Sequence, residues 1–208
     1  MALAKKIAAQ LLEIGAVKLQ PNHPFTWSSG WKSPIYCDNR IVLSYPEVRT
    51  NVQHGLVSLA NTFDGIDGIA GVATAGIAHG ALLADRLNLP YLYVRSKAKA
   101  HGRQNLIEGE LQKGSRYLVI EDLISTGGSA LKACEALRQA GGKITGVLAI
   151  FSYEFLHATE AFANANVAFQ TLSNYSTLLE VAQEKGLIES SAIELLAKWR
   201  EAPADWGK

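Results

Sequence analysis

Covalent and metal staples are scarce in this sequence. Two cysteines, Cys37 and Cys134, and five histidines, His23, His54, His79, His101 and His157, occur in 208 residues. The cysteines form no CxxC pair and the histidines are scattered, so a four-ligand zinc site and a disulfide framework are both excluded as organising features. Charge of one sign is missing too. Lys plus Arg number 20 and Asp plus Glu 19, a formal charge of +1. No global field exists to hold a nucleic-acid backbone, and any anion site must be local. No window approaches the roughly 18 uninterrupted apolar residues of a membrane span. The opening MALAKKIAAQLLEIG lacks the long apolar core and small-residue cleavage site of a secretory signal, so a reducing cytoplasm is the expectation.

What is present is an ordinary globular composition, 48% hydrophobic and 19% charged. At about 150 residues per domain, the length predicts one domain over 1–208 with additions: an irregular N-terminal lobe to about residue 45, an α/β core over about 46–170, and closing helices over about 171–208. Leu3, Ile7, Leu11 and Ile14 recur at helical spacing and stop at Gly15. Residues 20–40 are rich in Pro, Ser, Gly and aromatics, with one strand-like piece at 35–37. Ser44 followed by Glu47 reads as a capping box opening a second helix. Strands at 66–72, 91–94, 117–120, 144–151 and 167–169 then alternate with helices at 75–87 and 128–140, and helices at 176–185 and 190–200 close the chain. That alternation predicts an α/β fold with a central parallel sheet flanked by helices.

The strongest chemical signal is YLVIEDLISTGGS, residues 117–129. A buried-looking strand ends in Glu121 and Asp122, and a short loop with Leu123, Ile124 and Ser125 leads into Thr126, Gly127, Gly128 and Ser129 at a helix start. Ligands of open parallel sheets bind at the carboxyl ends of strands. Glycines let backbone N–H groups approach an anion, the hydroxyls add donors, and the helix N-terminus contributes a favourable partial charge, together a phosphate cradle. Two carboxylates beside it suit the hydroxyls of a sugar phosphate. Taken singly, each residue also fits a plain helix cap or turn; structural capping does not require two acids, two hydroxyls and two glycines together. As a metal cage the two acids are incomplete, although magnesium is commonly held by substrate oxygens and water. No G-x-G-x-x-G follows a strand, and residues 109–116 lack the P-loop lysine and precede a strand.

VRSKAKAHGRQN contributes Arg95, Lys97, Lys99, His101 and Arg103 in nine positions, a local positive potential suited to closing over a polyphosphate. A solvated surface loop is the alternative; nucleic acid is less persuasive because no aromatic is interleaved. GVATAGI, residues 71–77, offers a second anion nest or merely a tight turn. FTWSSGWKSPIYCDNR, residues 25–40, combines aromatics with Ser, Lys and Arg, as a pocket for a flat charged ring or a small satellite core.

These segments resemble a known family. YLVIEDLISTGGS is similar to the phosphoribosyl pyrophosphate (PRPP) motif of type I phosphoribosyltransferases, and FTWSSGWKSPIYCDNR with VRSKAKAHG, residues 94–102, resembles the orotate phosphoribosyltransferases in particular. The resemblance implies a small N-terminal hood over the core and transfer of phosphoribose from PRPP to orotate, giving orotidine 5′-monophosphate and pyrophosphate with Mg2+. It implies that Arg95, Lys99 and His101 meet the pyrophosphate as catalytic groups, Glu121 and Asp122 the ribose, and residues 125–129 the 5′-phosphate. Leu123 and Ile124 complete the PRPP motif, and Ser125, Lys32, Tyr36, Cys37 and Arg40 become candidate orotate contacts. Magnesium would be held mainly by PRPP and water. A homodimer with shared active sites is implied as well, without nucleic-acid or membrane partners.

The pattern departs from the best-known branch of that family at Ser28, Ser96 and Thr74, where lysines stand, and at Tyr153, near an arginine position. Lys97, Lys32 and Arg40 are candidate replacements. A transferase for another base, and a PRPP-sensing regulator without chemistry, remain as alternatives.

Overall fold

The computed structural model describes residues 2–27, 30–97 and 106–206. At its centre lies a six-stranded sheet made of β5 (Gly68–Val72), β6 (Tyr91–Val94), β7 (Ile107–Glu108), β8 (Arg116–Ile124), β9 (Lys143–Ser152) and β10 (Phe169–Asn174), in the order β10-β9-β8-β5-β6-β7. All neighbours are parallel except the edge pair β6/β7. Every residue of β5 is buried, as a strand covered on both faces requires, which is why these segments read as apolar runs rather than alternating ones. The predicted α/β class and parallel sheet are those observed.

Helices α3 (Gly76–Leu87) and α4 (Gly128–Gln139) follow β5 and β8, and α5 (Leu156–Asn164) joins β9 to β10. Helices α1 (Leu3–Glu13), α6 (Tyr175–Glu184) and α7 (Ser190–Glu201) lie at the two ends of the chain, with Ile7, Ala8 and Leu11 of α1 buried. Between α1 and α2 (Pro46–Ala60), the N-terminal lobe consists of two small antiparallel ladders, β1 (Val17–Leu19) with β4 (Ile35–Cys37) and β2 (Phe25–Thr26) with β3 (Lys32–Ser33).

Three local expectations change. Ser44 does not cap α2: it ends a 3-10 turn over Asn39–Ser44, and Tyr45 precedes α2 without a side-chain cap. Pro46 starts the helix instead, because its missing N–H is no loss in a first turn. Helix α5 was not anticipated from sequence; its nine residues carry no capping side chain and are too short for a clear period. Strand β8 continues through the acid pair to Ile124 rather than stopping at Ile120. Its pairing with β5 ends at Gly71↔Ile120, whereas β9 follows it through Glu121↔Ala149, Leu123↔Phe151 and Ile124↔Ser152. The carboxylates therefore stand where the sheet opens on one side and remains zipped on the other.

Candidate active site

The loop after β8 has three residues, Ser125, Thr126 and Gly127, before α4 begins. Gly127 adopts φ +79°, and a Cβ there would meet the Phe162 ring at 2.7 Å. Only glycine fits the turn that aims the α4 N-terminus at a concavity of about 60 Å3, walled by Glu121, Ser125, Thr126, Gly128 and Ser129. Leu123, Ile124, Gly127 and Ala130 complete this wall, so every residue of the 121–129 motif except Asp122 lines it. A second glycine fixes the depth of the site. A Cβ on Gly76 would lie 2.3 Å from the Ile120 carbonyl oxygen, so α3 abuts the backbone of β8 directly below the acids.

Glu121 is only 6% exposed. Burial, and next the neighbouring Asp122 charge, push its carboxyl well up; burial raises Asp122 too. Two adjacent buried carboxyls resist ionising together, and a hydroxyl that donates to either one favours its charged form. The Asp122 N–H donates to Glu121 Oε1 at 3.1 Å, and the Asn39 amide donates to the Asp122 carbonyl at 2.8 Å. Asn39 thereby ties the N-terminal lobe to the acid pair.

On the far side of Ser129, a cavity of about 310 Å3 opens between the ends of β5 and β6 and the length of α4, from Ser129 to Gln139. Arg95 and Ser96 line it with Ala73 and Lys132. Arg95 Nη1 lies 3.3 Å from Glu108 Oε1, which holds the guanidinium against β7. Lys132 was not singled out by sequence; its signal is its position one helical turn after Ser129, on the same face. Lys99, His101 and Ser28 lie outside the described residues. Thr74 sits in the turn between β5 and α3, after a cis Ala73–Thr74 peptide.

A third cavity, about 510 Å3, lies between the N-terminal lobe and the β8–α4 loop. One wall is aromatic, with Trp27, Trp31, Tyr36 and Tyr153. Leu123, Ser125 and Thr126 form the other wall, and all three also wall the small anion concavity. Of the candidate base contacts, Tyr36, Cys37 and Ser125 line this cavity. Lys32 reaches its rim by donating to Thr26 Oγ1 at 2.8 Å. Arg40 is directed elsewhere, gripping Asp38 through Nε at 2.7 Å and Nη2 at 2.8 Å. Burial, then Asp122 and Asp38, push the Cys37 thiol well up, so it enters the wall neutral. Trp27 and Trp31 belong to a segment flagged from sequence but were not named individually. Only the fold brings Tyr153, at the end of β9, beside them.

A phosphoribosyl transferase domain is matched over residues 41–160. An orotate phosphoribosyltransferase of Bacillus cytotoxicus is 57% identical over 204 residues, covering 98% of this chain and 97% of that protein. The chain belongs to the orotate phosphoribosyltransferase family. Among solved structures of the family, the orotate phosphoribosyltransferase of Aeropyrum pernix superposes with a TM-score of 0.76 at 29% identity, over 88% of this chain and 99% of that one. Leishmania donovani UMP synthase gives 0.78 at 28% identity, covering 94% of this chain and 42% of that one. The family match spans the cradle, the acid pair and the 94–105 segment, but not the 25–40 segment that supplies most of the aromatic wall.

Proposed function

We propose that this protein transfers phosphoribose from PRPP to N1 of orotate, yielding orotidine 5′-monophosphate and pyrophosphate in pyrimidine biosynthesis. The observation that carries the reading is the shared wall. A flat aromatic-lined cavity and an anion cradle meet at Leu123, Ser125 and Thr126, which sets a base and a phosphorylated sugar edge to edge.

In this reading the 5′-phosphate takes the backbone N–H groups and hydroxyls of residues 125–129, and Glu121 and Asp122 accept from the ribose hydroxyls. The pyrophosphate extends toward Arg95, with Lys99 and His101 from the following segment closing on it. As the glycosidic bond to pyrophosphate breaks, positive charge grows on the ribose and negative charge on the leaving group. The cations offset the second, and the ribose hydroxyls that donate to the acid pair favour its charged form beside the first. As N1 of orotate bonds to the ribose it gives up its proton, which passes to water or to the departing pyrophosphate, itself a base, so the step needs no strong general base from the protein.

Among the described residues no group of three or more His, Cys, Asp or Glu side chains is placed to hold a metal. A pair of acids below a sugar site fits an ion held mostly by substrate oxygens and water. Magnesium, when bound, supplies positive charge against the leaving group.

A homodimer in which the 98–105 segment of one subunit completes the partner's site, and a cytoplasmic setting, belong to the same proposal. Among the described residues no helix is long and apolar enough to cross a membrane.

The test is loss of orotate absorbance with PRPP and magnesium, with uracil and purine bases as controls. PRPP-dependent consumption of orotate alone is the expected result. Turnover of another base would keep the PRPP site and overturn the substrate, and PRPP binding without turnover would make the protein a sensor.

A further inference from the structure

The back of the aromatic cavity is held by a residue that does not line it. Trp199, in α7, has no exposed surface. Its ring meets Trp27 edge-on at 5.8 Å and 85°, and Tyr153 edge-on at 5.6 Å and 89°. Those two rings form the cavity wall and stack on each other at 5.2 Å and 27°. Phe155 and Tyr175, both 5.3 Å from Trp199, close the cluster from behind.

The next residue of the same helix repeats the pattern on the backbone. Arg200 Nη1 lies 3.3 Å from Glu154 Oε2 and donates to Ser176 Oγ at 2.7 Å. Ser176 donates to that carboxylate through its N–H at 2.8 Å and its hydroxyl at 2.6 Å. Glu154 directly follows Tyr153 and holds φ +59°, a left-handed conformation that needs such support in a non-glycine residue. Two successive residues of α7 thus hold Tyr153 of the cavity wall and the residue that follows it.

Trp27 needs an outside support as well. It follows a ladder of two residue pairs, β2 with β3, and an isolated hairpin of that size has little stability of its own. Its indole donates to the Ile35 carbonyl at 3.1 Å, and the rings of Trp31 and Tyr153 stack with it at 6.4 and 5.2 Å. Trp199 ties this lobe to the C-terminal helix.

We propose that Trp199 is a positioning residue for the base: through Trp27 and Tyr153 it sets the width of the cavity, making α7 part of the base-recognition apparatus. This rests on the reading that the cavity takes orotate. A buttress for one cavity predicts a selective defect. The cradle is built on β8, α3 and α4 and does not touch Trp199.

The experiment compares wild type with Trp199→Leu, Trp199→Phe and Arg200→Ala, varying orotate and PRPP independently. Trp199→Leu should raise the orotate KM at least five-fold while the PRPP KM stays within two-fold, Trp199→Phe should recover most of that loss, and Arg200→Ala should raise the orotate KM two- to three-fold. Should the leucine variant fail to fold, the other two decide. An unchanged orotate KM in both, or equal rises in both Michaelis constants, overturns the role of Trp199. Wild-type protein that consumes no orotate overturns the activity reading and this inference with it, whereas normal wild-type turnover with unselective variants overturns this inference alone.

Discussion

The two cavities that meet at Leu123, Ser125 and Thr126 are built on opposite plans. The anion cradle is backbone: one strand end, one three-residue loop and one helix start, with a glycine where a side chain would collide with Phe162. The base cavity is side chain, and its rings come from the N-terminal lobe and the end of β9, with Trp199 behind them. A backbone site is stiff and serves a group that every substrate of the class shares. A side-chain site can be reshaped by single substitutions, which suits the part of the reaction where one base must be told from another. The plans also separate in kinetics. Cationic groups on the leaving-group side should act on turnover, and the aromatic wall on the Michaelis constant for the base.

Lys99→Ala is the largest break. Loss of one donor preorganised against developing charge costs about 2.7–4 kcal/mol in the barrier, so kcat should fall roughly 10²- to 10³-fold with the melting temperature unchanged. Steady-state rates and a thermal melt on the same preparation check it; near-normal turnover removes Lys99 from the leaving-group side.

Glu121→Gln comes next and separates stability from activity. In the unfolded chain Glu121 ionises near 4.5. In the folded protein its pKa is raised, so above that pH folding must take up a proton, and stability is lost as pH rises toward the folded value. The glutamine variant has no such proton to take up. Between pH 5 and 7 its stability should gain on wild type by about 1–3 kcal/mol, or roughly 2–4 °C in melting temperature for each kcal/mol, while turnover falls. A gap that does not change with pH would mean that the acid ionises freely.

The same contrast explains what was legible in the sequence. Residues 117–129 are contiguous, so strand, acids, loop and helix start could be read together, and the parallel sheet followed from the apolar runs that alternate with helices. The base cavity could be read only in part. Phe25, Trp27, Trp31 and Tyr36 share a segment, but Tyr153 and Trp199 lie more than a hundred residues away, and no local pattern announces a ring that faces another ring across the fold. Arg40 illustrates the complementary difficulty. A cation near an aromatic segment invites an anion, yet the sequence does not say that Asp38 takes it first. Lys132 shows that one turn beyond a recognised motif is a place worth searching.

Gly127→Ala tests whether the cradle is as rigid as its backbone plan requires. A left-handed conformation costs a non-glycine residue about 1–2 kcal/mol, and the new methyl would press on Phe162. The PRPP KM should rise about ten-fold with the orotate KM little changed, the mirror image of the Trp199 variants. If both constants moved together, the two cavities would be mechanically one unit and the division drawn above would fail.

The smallest effect belongs to Arg40→Ala. The Arg40 side chain is 59% exposed and its fork is filled by Asp38, whose carboxyl it holds below the usual range. An exposed pair of this kind contributes about 0–1 kcal/mol, and Asp38 still accepts from the Arg40 backbone N–H at 3.2 Å after the side chain is gone. The orotate KM should therefore change less than two-fold. A ten-fold rise would show that Arg40 leaves Asp38 for the base carboxylate when orotate binds. The wall would then gain a cation only in the complex, and the base cavity would recognise its ligand by a charge as well as by its rings.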